Sequence, residues 1–232
     1  MKNILIIIVV AVAFLSSCTT TAPIAKSVAY KGMYDEKPLT VLLMPPINRS
    51  TNVDAKEYFH STLNVPIANS GFYVIPPFMS MEILKNESAY DSELFLETPL
   101  NKFGEVFGAD LALFTIIHKW DKNAVFAKVY VEIEYIVKST KTNEVLYSRH
   151  GNVTYDASVN SVGGGGLIGL VANMAASAIN TALTEYVDVA RTCNSYTFKD
   201  LPAGKYSPTY LIDKDEIAGA KEFSVVLNSQ YK

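Results

Sequence analysis

Three histidines (His60, His118, His150), two cysteines (Cys18, Cys193) and a glycine cluster are the groups in this 232-residue sequence that could do chemistry. The histidines are widely spaced and the cysteines too few for a zinc finger or a disulfide framework. Nucleophilic catalysis needs a serine or cysteine beside a base and an orienting acid, and the sequence has no Gly-x-Ser-x-Gly elbow or His-Glu-x-x-His. Glu132 and Glu134 have the two-residue spacing of some acid–base pairs, but they alternate with apolar residues and read as the solvated face of a strand. Gly164-Gly165-Gly166-Leu167-Ile168-Gly169 spells the dinucleotide fingerprint, whose glycines bring backbone amides to a pyrophosphate. It follows an antiparallel hairpin rather than the first strand of a βαβ unit, and no strand with an acidic ribose ligand comes after it. The cluster therefore reads as a hinge before a helix. We assign no catalytic residues, no cofactor and no metal.

The other cysteine has a different context. Met1-Lys2-Asn3 is a short positive start, and Ile4 to Leu15 is a charge-free apolar run of 12 residues, too short to span about 30 Å of hydrocarbon as a helix. The run ends in Leu15-Ser16-Ser17-Cys18, which resembles the bacterial lipobox. Residues 1–17 are then a signal peptide, and Cys18 becomes the acylated first residue of the exported chain. Several acyl chains, at about 0.8 kcal/mol per buried CH₂, make a stable anchor where one would be marginal. Thr19 stands where an Asp would favour retention at the inner membrane, so the expected address is the outer membrane, on its periplasmic side. With Cys18 acylated, Cys193 has no intrachain partner in an oxidising compartment; it is either buried or a site of intermolecular pairing.

Composition narrows the partners. With 49% hydrophobic residues the chain can bury a sizeable core. A formal charge of −3 without a dense basic run argues against nucleic acid. The expected partners are the membrane, through the anchor, and a second copy or other envelope lipoproteins.

The elements that must carry these groups follow from periodicity. Residues 18–37 are polar and patternless, reading as a lipidated tether with a coil dimension of about 25 Å. Residues 38–232 read as one α+β periplasmic domain. Leu39 to Met44 and Gly71 to Ile75 are short apolar runs stopped by Pro-Pro pairs, hence strands, with a helix between them over 53–69 that Pro66 should kink or shorten. A short helix is expected near 80–85 and another over 99–107, closed by Gly108. The near-continuous apolar run 109–118 is a central strand covered on both faces. From Ala127 to Val137 apolar residues alternate with Lys128, Tyr130, Glu132, Glu134, Ile136 and Lys138, and the chain returns from Val145 toward Tyr155: a long hairpin with one wet face. From Leu167 to Val187 one apolar stripe recurs at helical spacing, a packed helix of about 36 Å. Ala157 to Thr184 carries no charge over 28 residues, but its glycines, asparagines and one-sided stripe fit a docked helix better than a membrane span. Its small residues Ala172, Ala175, Ala176 and Ala182 could form a self-association face. Phe223 to Leu227 reads as an edge strand. A βαβαβ start, a long antiparallel hairpin and a long packed helix around a mixed sheet make the fold class α+β.

Several of these segments resemble a family of bacterial lipoproteins of the genome-derived neisserial antigen type, and more distantly the TolB N-terminal and CsgG-like fold. They are Met44-Pro45-Pro46-Ile47-Asn48-Arg49-Ser50, Gly71-Phe72-Tyr73-Val74, Phe107-Gly108-Ala109-Asp110-Leu111-Ala112-Leu113, the hairpin Tyr135 to Tyr147, Leu167-Ile168-Gly169 and Tyr206-Ser207-Pro208. The resemblance covers residues 38 to 210. It implies an envelope lipoprotein without established catalytic residues, dimeric and encoded beside lipoproteins of CsgG type. Two readings follow: a non-enzymatic binding or assembly module on the outer membrane, or a subunit of a CsgG-like secretion or transport channel. A CsgG-type pore takes two amphipathic hairpins per subunit, and this sequence offers one.

Overall fold

The computed structural model describes residues 22–123, 125–157 and 186–228. It is a mixed α+β structure on one seven-stranded sheet. The elements are α1 (Lys26–Ala29), α2 (Lys31–Glu36), β1 (Thr40–Leu43), β2 (Ile47–Asn48), α3 (Ala55–Asn69), β3 (Tyr73–Val74), α4 (Pro77–Asn86), α5 (Asn101–Phe107), β4 (Leu111–Asn123), β5 (Lys128–Ser139), β6 (Val145–Asp156), α6 (Tyr186–Phe198) and β7 (Glu222–Asn228). Strand order is β3-β1-β4-β5-β6-β7, with β2 also alongside β4. The β3-β1-β4 part is parallel, β4-β5-β6 antiparallel, and β7 lies parallel to β6.

Burial on both sides explains the apolar runs. On β1, Val41 and Leu43 enter one core with Phe59, Leu63 and Ile67 of α3 and Val189, Cys193 and Phe198 of α6. Leu42 and Met44 enter a second core with Leu84, Leu100 and Phe103, from α4, α5 and the segment between them. β4 divides likewise, and residues 111 to 117 are all buried. The hairpin β5–β6 pairs in register along its length, with one irregularity near its turn.

The motif around Asp110 has a structural reason. Gly108 ends α5 with φ of 65°, a left-handed conformation that a side chain disfavours. The chain then turns so that Asp110 Oδ2 accepts from the backbone amides of Leu39 at 2.9 Å and Thr40 at 3.2 Å, while Thr40 Oγ1 accepts from the Asp110 amide at 2.8 Å. This clamp fixes the start of β1 against β4. A similar lock joins distant parts of the chain at Gly71 and Gly204. A Cβ on Gly71 would lie 2.4 Å from the Ser207 nitrogen, and one on Gly204 would lie 2.4 Å from the Gly71 oxygen. The amide of Tyr206 donates to Gly71 O and that of Gly204 to Ser70 O.

Several expectations need correction. Residues 18–37 are not a tether throughout, because α1 and α2 are folded and Tyr30, Met33 and Tyr34 are buried in the first core. Met33 and Tyr34 project from α2, and Tyr30 sits at the break between α1 and α2. The wet face of β5 is shorter than alternation implies: Lys138 is buried and donates to Leu96 O at 2.6 Å, and Ile136 packs on the second core. Pro66 lies within α3, which continues three residues past it to Asn69. The glycine cluster at 164–169, the apolar stripe from Leu167 to Leu183, and Ala172, Ala175, Ala176 and Ala182 lie outside the described residues.

Of the two readings of Cys193, burial is the one found: the thiol is fully enclosed and burial pushes its pKa up to about 12. The native protein should resist a charged thiol reagent at pH 8 and react fully in denaturant, as read by absorbance. Asp110→Ala should cost about 1–3 kcal/mol in urea unfolding, because it strands two amides. Burial alone would raise the Asp110 carboxyl, but the Leu39 and Thr40 amides and Lys141 outweigh it and hold the pKa below the ordinary 3.8. The carboxylate's contribution is therefore present above that value and lost below it, so the gap between parent and variant should narrow as pH falls below about 4.

Candidate functional site

Two places concentrate polar chemistry. The first is where the amino-terminal segment meets the loop after α6. Ala25 forms an antiparallel bridge with Ile217, the Lys26 amide donates to Glu216 O and the Ala218 amide to Ile24 O, both at 2.8 Å. The Lys26 ammonium is buried against Glu216 at 2.8 Å and Asp213 at 3.8 Å. Asp213 in turn accepts from the Ala203 amide at 2.8 Å.

One turn along, the Tyr30 hydroxyl donates to Asp200, whose other oxygen accepts from the Gly219 amide at 2.7 Å. Burial and the neighbouring Asp200 carboxylate both hold the Tyr30 hydroxyl well above its ordinary pKa, so it stays a donor. Arg149 is buried too. It donates to Ala220 O and Thr197 O, both at 3.1 Å, and stacks over the Phe223 ring at 4.3 Å. At the other end of α2, Glu36 accepts from Ser139 and Thr142 at the tip of the β5–β6 hairpin, at 2.7 and 2.9 Å.

A groove of about 740 Å³ opens beside this dock. Ala22 to Ile24, Ala29 and Tyr30 form one wall, Val145 to Ser148 the floor and Ala218 to Glu222 the other wall. It exists because β7 joins β6 only from His150 onward, leaving the first residues of β6 without a strand on that side. Its lining is mainly small and apolar.

The second place is the open part of the sheet face. Strand register brings together His118 of β4, Glu132 and Glu134 of β5, His150 of β6 and Glu222 of β7. His118 Nε2 lies 3.1 Å from Glu134, and His150 touches Glu132 through Nε2 at 3.1 Å and Glu222 through Nδ1 at 3.0 Å. The two imidazole rings are 5.4 Å apart. A neutral imidazole has one N–H, so His150 makes both bonds as donor only when charged. A β-bulge between Ile117 and Lys119 inserts His118 into this row.

The three histidines thus have two fates. His118 and His150 meet on the sheet, whereas His60 is buried in α3, where burial lowers its pKa from 6.5. Glu132 and Glu134 lie on the wet face as expected, each held by a histidine. Among the described residues no group of His, Cys, Asp and Glu is arranged to hold a metal ion, and no helix is long and apolar enough to cross a membrane. Cys18 and the uncharged stretch lie outside those residues, except Ala157. Sequence reasoning missed Lys26, Tyr30, Arg149, Asp200 and Asp213; the only signal was the short stripe Tyr30, Met33, Tyr34. Asp200→Ala should weaken the dock, lowering stability by about 1–3 kcal/mol. Limited proteolysis should then cut between residues 22 and 37 sooner than in the parent.

The family model described as "Putative lipoprotein GNA1162-like" matches residues 28–204. A lipoprotein of Neisseria meningitidis serogroup B is 22% identical over 186 residues, covering 78% of this chain and 83% of that protein. Among solved structures, the crystal structure of lipoprotein GNA1162 from Neisseria meningitidis is similar with a TM-score of 0.47 and 18% identity, over 61% of this chain and 98% of that one. The PelC dodecamer from Paraburkholderia phytofirmans gives 0.37 and 15%, over 68% and 87%. With its family model matching well over half of the sequence, this chain belongs to the GNA1162-like lipoprotein family.

Proposed function

We propose that this protein is an outer-membrane lipoprotein, acylated at Cys18 after removal of residues 1–17, whose periplasmic body is a non-enzymatic binding and assembly module. The observation that carries the reading is the lipobox Leu15-Ser16-Ser17-Cys18 standing just ahead of a body that belongs to a lipoprotein family. Thr19 supports the outer membrane as the address. The body works as a homo-oligomer or beside other envelope lipoproteins, with Ala172, Ala175, Ala176 and Ala182 as a self-association face. Its fold is of the TolB N-terminal and CsgG-like type. In a channel subunit the hairpin would leave the body, but here β5 and β6 are inner strands whose Val129, Val131, Ile133, Val137 and Tyr147 fill the first core. That favours the module over the channel.

The test is expression of the parent and Cys18→Ala in a Gram-negative host. The parent's first peptide should begin at Cys18 with the mass of attached acyl chains, and the protein should sediment with the outer membrane. Cys18→Ala should lose both properties. A parent with an unmodified thiol at position 18, recovered from the soluble fraction, would overturn the reading.

A further inference from the structure

We propose that the grooved end of the body lies against the lipid bilayer, with the sheet strands pointing away from it. This rests on the acylation of Cys18 proposed above. Folded structure starts close behind that residue: Ile24 already bonds to Ala218, and Lys26 opens α1. Ala22, on the groove wall, follows Cys18 by four residue steps, a reach of at most about 14 Å when fully extended. The body therefore cannot stand off on a long coil, and the end that must face the lipid is the one bearing the groove.

That end is suited to lipid. Ile24 is 44% exposed, Val28 69% and Val145 54%, and the groove between Ile24 and Val145 is lined mainly by small and apolar residues, with Lys221 and Glu222 also on its lining. Apolar side chains at this spot bury themselves in the interfacial layer at little ordering cost, since the anchor already holds the body there. Strand register fixes the opposite pole. Val145 begins β6 and Asp156 ends it, about 36 Å away at 3.3 Å per residue. The turn before β5 lies at that far end, where the Ala157 amide donates to Ala127 O and Phe126 is 62% exposed. Two apolar sites of similar exposure thus differ in their distance from the anchor.

The experiment uses the acylated full-length protein in vesicles of phosphatidylethanolamine and phosphatidylglycerol, with brominated acyl chains as quencher. Val28→Cys, Val145→Cys and Phe126→Cys each take an environment-sensitive fluorophore; Cys193 is enclosed and Cys18 blocked. Mass spectrometry of each sample first establishes the acyl groups, so an unmodified Cys18 counts against the lipoprotein reading and not against this one. Each labelled variant is required to unfold at the parent's urea midpoint. Bromolipid should quench the fluorophore at 28 and 145 severalfold more than at 126. Equal quenching at all three positions, stronger quenching at 126, or none at any of them with acylation intact would overturn the proposal.

Discussion

The hydrogen bond from Tyr30 to Asp200, reinforced by the Lys26 pairs with Glu216 and Asp213, makes the amino-terminal segment part of the body. Together with the burial of Tyr30, Met33 and Tyr34 in the first core, it holds α1 and α2 in place and keeps Glu36 at the hairpin tip. The Tyr30 phenol, the Lys26 ammonium and the Asp213 carboxylate are buried, so parting them from their partners is costly, whereas Glu216 closes the Lys26 pair from the solvent side. The geometry is specific because every partner is itself held: Asp200 by the Gly219 amide, Asp213 by that of Ala203. The orientation of the whole sheet relative to the chain's entry point depends on this small set of contacts.

What could be read in the sequence is what depends on near neighbours. The apolar run of β4, the alternation of β5 and the glycine after α5 each carry their meaning within a few residues, so the mixed sheet and its hairpin were legible. α6 was not, because its buried face is half polar. Asn194 is enclosed among Tyr135, Thr62 and the Phe59 carbonyl, and nothing local announces that a polar residue will find partners on other elements. The dock was hidden for the same reason: Tyr30, Met33 and Tyr34 are a weak stripe until the loop near Asp200 supplies a surface. The histidine row needed strand register and a bulge at His118, neither of which periodicity specifies.

The two faces of the sheet are built for different purposes. One is covered by α3 and α6 along most of its length. Among the described residues, the other is covered by α4 and α5 near β1 and the adjoining part of β4, and the imidazoles and carboxylates of His118, Glu132, Glu134 and His150 on β4 to β6 are partly exposed. These polar groups pair with one another across strands, which stabilises the sheet.

β7 meets β6 in parallel, which no tight turn can arrange. The β5–β6 hairpin closes through a short turn at Thr140 to Glu144, whereas β7 reaches its partner only after α6 and the loop from Lys199 to Lys221 are in place. Loop closure over so long a stretch carries a larger entropic cost. The outermost strand is thus the last to zip and the first to fray, and its departure would bare Gly151, over which the Phe223 ring sits, while leaving the hairpin whole.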